Sequence, residues 1–161
     1  MFRLNPPPSP RTAVLGSELS GAPAIAVHVR RGDYVNNRGA ALFHGCCSIE
    51  YYAAAGHWMR ERLPTAPFCV FSDDPVWARE HLKFDGPVTW IEASPPHSAH
   101  EDFFLLCCCA HFIIANSSFS WWPAWLQASP AGLAVAPRRW FLGHDVNPAD
   151  RYPSGWHLID A

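Results

Sequence analysis

The chain has 161 residues, of which 49% are hydrophobic, so it is long enough to form one domain with a substantial core. Its net charge of −2 at pH 7 gives no electrostatic basis for binding nucleic acid. No run of apolar residues in the sequence approaches the roughly eighteen that cross a membrane. Any anionic ligand must therefore be bound locally, by a few arginines and backbone amides.

The first 23 residues are rich in proline, glycine and serine. They lack the apolar stretch of a secretory signal peptide, and their prolines favour an extended arm or the remnant of a linker. We therefore predict an arm over residues 1–23 and one ligand-binding domain over residues 24–161. The domain is expected to end in an irregular tail that begins at Arg138.

Predicted strands and helices alternate along this domain. Short apolar runs predict strands, and segments with helical spacing that begin at capping residues predict helices. The predicted strands are 24–29, 68–72, 88–91, 112–115 and 133–136, and the predicted helices are 49–62, 75–83, 99–110 and 119–128, with a loop over 30–47. This alternation is typical of an α/β fold with a doubly wound, mostly parallel sheet of about five strands.

The six cysteines could suggest disulfides, but their spacing argues against them. Cys46–Cys47 and Cys107–Cys109 are runs of adjacent residues, which rarely bridge one another, and nothing marks the chain as secreted. A zinc site that joins Cys107 or Cys108 to His111 would need a second ligand pair, and none follows at a suitable spacing. We expect reduced, mostly buried thiols in a cytoplasmic protein, and peripheral association with a membrane stays open as an alternative.

Three polar clusters each follow a predicted strand. They are Arg30–Asp33 after the first strand, Ser72–Asp74 after the second and Asn116–Ser120 after the fourth. Because the carboxyl ends of parallel strands meet at one edge of a sheet, these clusters are expected to lie together. An arginine fork suits phosphate oxygens, and so do the amides of a helix N-terminus. The clusters therefore predict a nucleoside diphosphate site, in which Asp73 is able to accept from the N–H groups of guanine.

Each cluster also has a purely structural interpretation. Arg30 could pair with Asp33 on a solvated strand end, and Asp74 could cap a helix. A serine of the third cluster could cap the last helix, and His44 could be a solvated loop residue. The coincidence of three clusters at one edge favours the ligand site over these alternatives.

The segments around the clusters resemble glycosyltransferase family 11, the α-1,2-fucosyltransferases. The resemblance rests on two long motifs, His28–Tyr34 and Ile114–Trp122, and covers about residues 24–141. Three shorter segments add to it: Phe43-His44-Gly45, Tyr51-Tyr52 and Phe71-Ser72-Asp73-Asp74. It implies the Rossmann-like, donor-binding C-terminal half of a two-domain GT-B enzyme. Pro123 stands where a small residue is usual in the family, and is expected to shorten or shift the last helix.

The resemblance implies a galactoside 2-α-L-fucosyltransferase. Such an enzyme moves fucose from GDP-fucose to a galactose-containing glycan with inversion, and needs no metal or other cofactor. The alternative is an inactive GDP-binding module or a truncated fragment, because only about 23 residues precede the first motif and the acceptor half is expected to be missing. Apolar surface exposed by that loss would let the chain self-associate.

The resemblance also implies roles for individual residues. Those expected to bind the nucleotide are His28, Arg30, Arg31, Asp73, Asn116, Ser117, Ser118, Phe119 and Ser120. Arg30 matches the phosphate-binding arginine, and Asp73 matches the aspartate that reads guanine. The catalytic candidates are Arg30, which would stabilise the leaving diphosphate, and Asp33 and His44, which are alternatives for the general base. Some fucosyltransferases place a glutamate shortly after the arginine motif, but Asn36–Arg38 occupy that stretch here.

Overall fold

The computed structural model describes residues 7–91, 99–126, 131–142 and 150–161. Across this part of the chain, six strands form a single parallel sheet in the order β3-β2-β1-β4-β5-β6. The strands are β1 Ile25–Val29, β2 Phe68–Ser72, β3 Val88–Trp90, β4 His111–Ile113, β5 Ala134–Pro137 and β6 His157–Ile159. The helices are α1 Pro10–Gly21, α2 Gly32–Asn36, α3 Arg38–His44, α4 Ile49–Arg62, α5 Pro75–His81, α6 Ala99–Cys107 and α7 Ser118–Leu126.

Helices cover both faces of the sheet, which confirms the predicted doubly wound α/β fold. Successive side chains of a strand point to opposite faces, so β1 contributes to two separate cores. Ile25, Val27 and Val29 pack with α4 and α5, whereas Ala26 packs with α1, α6 and α7 on the other face. Because β1 is buried on both faces along its whole length, it reads in sequence as an almost continuous apolar run.

Two buried tyrosines of α4 hold the carboxyl ends of the central strands. The Tyr51 hydroxyl donates to the Ile114 carbonyl at 2.6 Å, and the Tyr52 hydroxyl donates to the His28 carbonyl at 3.1 Å. Both side chains are 1% exposed or less, so these hydrogen bonds form away from water. They fix the strand ends from which the two long motifs continue.

The N-terminal segment differs from the expected extended arm, because residues Pro10–Gly21 form a helix. Ser9 caps it by accepting from the Thr12 N–H, and Pro10 occupies the first helical position, where a missing N–H costs nothing. Leu19 of this helix is buried in the core shared with α6 and α7. The helix is therefore part of the packed fold, and residues 1–6 lie outside the described part.

Three further elements correct the sequence prediction. The predicted loop over 30–47 contains the short helices α2 and α3, and the predicted irregular tail contains β6. β6 pairs in parallel with β5, and the ring of His157 stacks on Trp58 at 4.4 Å. α7 continues through Pro123 to Leu126, so the proline does not end the helix there. These elements are too short or too atypical in composition to give a periodic signal.

Candidate nucleotide-binding site

The direction in which the chain adds strands to the sheet reverses between β1 and β4. From β1 the chain proceeds outward through β2 and β3, and from β4 it proceeds outward on the other side through β5 and β6. Ligands of open α/β sheets bind in the crevice beyond the carboxyl ends of the strands at such a switch point. Arg30–Asp33 follows β1 and Asn116–Ser120 follows β4, so these two clusters border the crevice, whereas Ser72–Asp74 lies one strand away.

Arg30 lies between two carboxylates at the end of β1. Its Nη2 is 2.9 Å from Asp33 Oδ1, and its Nη1 is 3.2 Å from Asp73 Oδ2. Partial burial acts to lower the pKa of Arg30, but the hydrogen bond to Asp33 and the charge of Asp73 outweigh it and raise that pKa. The side chain is 32% exposed, so its two carboxylate partners do not seal it from solvent. Arg30 is thus oriented by protein groups and still accessible to an anion.

The carboxylate of Asp73 is occupied by the loop that carries Arg30. Its Oδ1 accepts from the Arg31 N–H at 2.8 Å, and its Oδ2 accepts from the Gly32 N–H at 3.0 Å. The parallel register, in which Val29 lies opposite Ser72, brings the two strand ends side by side. A contact between Asp73 and guanine stays a prediction, because both oxygens already accept hydrogen bonds from the protein.

Arg31 and Asp74 interact away from Arg30. Asp74 Oδ1 accepts from the Trp77 N–H at 3.2 Å, which confirms its structural interpretation as the cap of α5. Its Oδ2 is 3.3 Å from the Nε of Arg31, whose guanidinium lies 3.7 Å from the Trp77 ring centroid. The structure therefore anchors Arg31 on α5, and its contact with nucleotide stays a prediction.

The serine turn offers one exposed hydroxyl. Ser118, the first residue of α7, is exposed, whereas Ser117 is 7% and Ser120 is 0% exposed. Ser117 Oγ accepts from the Phe119 N–H at 3.3 Å, and Ser120 Oγ is 2.9 Å from His28 Nδ1. The phosphate contacts expected at this turn stay predictions, and Ser118 is the member whose side chain is open to solvent at the helix N-terminus.

Asn116 ties the third cluster to the segment that follows α3. Its Nδ2 donates to the carbonyls of His44, Gly45 and Trp140 at 2.9, 3.2 and 3.2 Å. The backbone carbonyl of Asn116 accepts from the Tyr34 hydroxyl at 3.2 Å. The side chain is 3% exposed, so its role in this structure is to join three segments around the crevice. A ligand contact for this residue stays a prediction.

His28 is neutral in the folded protein. Burial, reinforced by the positive charge of Arg30, lowers its pKa from 6.5 to about 3. One ring nitrogen interacts with Ser120, and the ring lies 5.5 Å from that of Phe119. His28 thus connects β1 to α7 and adds no positive charge to the site at pH 7.

The two candidate bases differ in environment. The hydrogen bond from Arg30 lowers the pKa of Asp33, which makes this carboxylate a weaker base. Burial lowers the pKa of His44, so its ring is neutral at pH 7 and has a free lone pair. His44 stacks on Tyr34 at 4.6 Å, and its Nδ1 has no hydrogen-bond partner within the described residues. Asp33 contacts Arg30 directly and His44 stacks on Tyr34, which contacts Arg30, so the geometry does not distinguish one of them as the base.

Within the described ranges, no group of three His, Cys, Asp or Glu side chains could hold a metal ion. All six cysteines are free thiols, and His111, the partner suggested for zinc, accepts from the Leu133 N–H at 3.1 Å through its Nδ1. The same ranges contain no helix long and apolar enough to cross a membrane.

The model for Glycosyl transferase family 11 matches residues 14–160. The chain belongs to glycosyltransferase family 11. The match includes most of α1, in agreement with the packing of this helix onto the domain.

Three curated proteins illustrate this relationship. The chain is 37% identical over 141 residues to an alpha-1,2-colitosyltransferase of Escherichia coli, a match that covers 85% of this chain and 48% of that protein. It is 36% identical to the O-antigen biosynthesis glycosyltransferase WbnK of Escherichia coli, over 77% of this chain and 41% of that protein. It is 33% identical to a galactoside alpha-(1,2)-fucosyltransferase 2 of Gorilla gorilla gorilla, over 63% and 30% of the two chains. The chain therefore spans less than half the length of these relatives.

The sequence did not identify Tyr34 and Phe141, two aromatic residues that pack on His44, as part of the candidate site. Tyr34 contacts Arg30 at 5.7 Å, stacks on His44 and donates to the third cluster. Phe141 packs at 5.4 Å from the His44 ring, and the Arg151 guanidinium lies 4.8 Å from the Phe141 ring. The abundance of aromatic residues in the tail was the available signal, but nothing in the sequence indicates which strand end they pack against.

Proposed function

We propose that this family 11 chain binds GDP-fucose and takes part in transfer of fucose to the 2-hydroxyl of a galactose-containing glycan, with inversion and without a metal. The observation that carries the proposal is the position of Arg30. It lies partly exposed at the end of β1, across the switch point from the N-terminus of α7. An arginine fork and a helix N-terminus that face one crevice form an anion site suited to a diphosphate.

The proposed chemistry uses these groups on the leaving diphosphate. An acceptor hydroxyl attacks the anomeric carbon of fucose while the bond to the diphosphate oxygen breaks, and the hydroxyl proton passes to a base. Asp33 and His44 remain the alternatives for that base. Negative charge develops on the leaving oxygen, where Arg30 and the first amides of α7 would stabilise it electrostatically. We propose this stabilisation as the means by which the reaction proceeds without a metal.

The identity of the sugar rests on the relatives. The galactoside alpha-(1,2)-fucosyltransferases among them support fucose, and the alpha-1,2-colitosyltransferase makes colitose the alternative. A competition assay distinguishes them, because the two GDP-sugars would displace a fluorescent GDP analogue from the same site. Tighter binding of GDP-fucose than of GDP-colitose supports the proposal, and the reverse order would replace fucose with colitose.

A second candidate function is a GDP-binding module without transfer activity. It is favoured by the coverage of the relatives, since more than half of each lies outside the matched region. We therefore expect the chain to bind GDP and to transfer fucose to lactose very slowly. Joining the N-terminal half that the family resemblance implies, taken from a full-length family 11 enzyme, ahead of Ser9, so that α1 stays intact, should raise transfer. Rapid turnover by the 161-residue chain alone would exclude the module, and failure to bind GDP would exclude both functions.

The location in the cell is also a proposal. The free cysteines are consistent with a reducing compartment, and we propose the cytoplasm. Peripheral association with a membrane would be tested by sedimentation of the chain with lipid vesicles.

A further inference from the structure

We propose that Asp73 is a positioning residue, which holds the loop Arg30–Asp33 in shape so that Arg30 faces the crevice, and that it does not read the base. This inference rests on the proposed function, because it concerns how the diphosphate site is built. Asp73 accepts from two consecutive backbone N–H groups of the loop and also pairs with Arg30 Nη1 at 3.2 Å. We call this set of contacts the aspartate clasp.

The clasp requires a carboxylate. Three donors converge on two oxygens, namely the N–H groups of Arg31 and Gly32 and the guanidinium of Arg30. An ionised carboxylate is acceptor-only, whereas an asparagine amide would direct its own N–H groups at one of these donors. Asp73→Asn preserves the size of the side chain and removes the clasp.

The clasp also favours a glycine at position 32. A Cβ placed on Gly32 would lie 2.9 Å from Asp73 Oδ2 and 3.3 Å from its Cγ. A Cβ at that distance would force the carboxylate to shift, which changes the hydrogen bonds that it accepts from the loop. The absence of a side chain at Gly32 therefore lets the loop lie against Asp73 as it does.

The same contacts argue against base reading by Asp73. A guanine whose N1–H and amino group donated to these oxygens would compete with two backbone N–H groups and a guanidinium nitrogen. The loop would then lose the hydrogen bonds that hold it against the residue after β2. A residue that reads a base is instead expected to present unoccupied acceptors to the crevice.

The test compares Asp73→Asn with the wild-type chain, and Asp160→Asn serves as a matched control. Asp160 also pairs with an arginine, Arg138, at 3.0 Å, but it is 90% exposed and follows the edge strand β6. Displacement of a fluorescent GDP analogue by GDP and by ADP reports phosphate affinity and base preference separately. Chemical shifts of ¹⁵N-glycine-labelled chain report the Gly32 amide without any nucleotide.

We expect Asp73→Asn to weaken the binding of GDP and of ADP by the same factor, about tenfold or more, and to leave the ratio of the two affinities unchanged. The Gly32 amide resonance should move, and Asp160→Asn should change neither observable. Loss of the GDP preference with unchanged ADP affinity would overturn the inference, and so would an unmoved Gly32 resonance. If the wild-type chain binds neither nucleotide, the proposed function fails, while the Gly32 resonance still decides whether the clasp exists.

A second pair of variants guards against misfolding of Asp73→Asn. Gly32→Ala should reproduce the equal loss of GDP and ADP affinity, because its methyl group pushes the carboxylate away. Gly21→Ala is the control, since a Cβ there meets no atom within 4 Å. Gly32→Ala with wild-type affinity for both nucleotides would overturn the inference.

Discussion

At the scale of single residues, the candidate site consists of side chains whose polar atoms already contact other protein groups, so a ligand would compete for them. Arg30 contacts Asp33 and Asp73, and of these Asp33 is the more exposed at 52%, against 25% for Asp73. A phosphate that approaches from solvent would therefore compete first with Asp33. Exposed ion pairs contribute little free energy, so this competition does not prevent binding.

Replacement of Arg30 tests its contact with the diphosphate. We expect Arg30→Ala to weaken GDP binding by about 2–4 kcal/mol, because a charge-assisted bidentate contact is lost. Arg30→Lys should recover only part of this, since an ammonium group cannot reproduce the planar fork. Calorimetry measures both affinities. Arg138→Ala, which also removes an exposed ion pair, is the control and should bind GDP as the wild type does. GDP affinity in Arg30→Ala equal to that of the wild type would refute the assignment.

Burial of neutral His28 makes stability depend on pH. Its folded pKa of about 3 lies below the ordinary 6.5, so the unfolded chain binds a proton that the folded chain excludes. The free energy of unfolding is therefore independent of this group above about pH 6.5, and it decreases as the pH falls from 6.5 toward 3. The loss amounts to about 1.4 kcal/mol per pH unit in that window.

Urea unfolding between pH 4.5 and 7.5 measures this effect. His28→Gln should show a shallower decline of the free energy of unfolding than the wild type toward acid pH. His57→Gln, at an exposed position, is the control and should keep the wild-type slope. An unchanged slope in His28→Gln would mean that other groups account for the acid sensitivity.

The sequence predicted that the three polar clusters follow strand ends, but not the partners of their side chains. The three clusters were identified because each follows an apolar run, which is a local pattern. The clasp on Asp73 and the burial of Ser120 depend on register between strands that are distant in sequence. The cap formed by Asp74 was predictable, since Asp74-Pro75 is a local helix-start signal.

At the scale of elements, α1 shows how a local signal can be overlooked. Ser9-Pro10 is also a cap followed by proline at the first helical position, yet the surrounding prolines favoured an extended arm. β6 could not have been found this way, because its three residues acquire strand geometry from pairing with β5. The parallel arrangement of the other strands was predictable from their alternation with helices.

The packing of α1 on α6 is tested by two glycines of α1. A Cβ on Gly16 would lie 2.7 Å from Phe104 Cε1 and 3.2 Å from Cys108 Sγ. We expect Gly16→Ala to destabilise the fold by about 1–2 kcal/mol, because the overpacking outweighs the gain in helix propensity. Gly21→Ala, which meets no such contact, should cause no loss. Urea unfolding measures both, and a Gly16→Ala variant as stable as the wild type would show that α1 does not dock as described.

At the scale of the whole molecule, α7 leaves an apolar surface open beside the site. Trp122, Trp125 and Leu126 are 49%, 53% and 39% exposed, although their helix begins at the candidate phosphate site. Clustered exposed aromatic side chains favour association with another apolar surface. The chain spans less than half the length of its curated relatives, which agrees with a surface that contacts further protein.

We expect the chain to self-associate through this surface as its concentration rises. Trp125→Lys should shift the sedimentation-velocity profile toward the monomer, because a buried charge opposes the contact. Val14→Lys is the control, since Val14 is 61% exposed on α1 and should leave the profile unchanged. Equal association of Trp125→Lys and the wild type would exclude this surface.

Calorimetry of the purified chain with GDP, ADP and UDP, each in Mg²⁺ and again in EDTA, tests the central claim of a guanine nucleotide site that needs no metal. The arginine and amide donors beside the switch point predict saturable binding of GDP that is unchanged by EDTA. The proposed GDP-sugar donor predicts that ADP and UDP bind more weakly than GDP, by about tenfold or more. Absence of GDP binding, equal affinity for the three nucleotides, or a tenfold loss in EDTA would contradict the account.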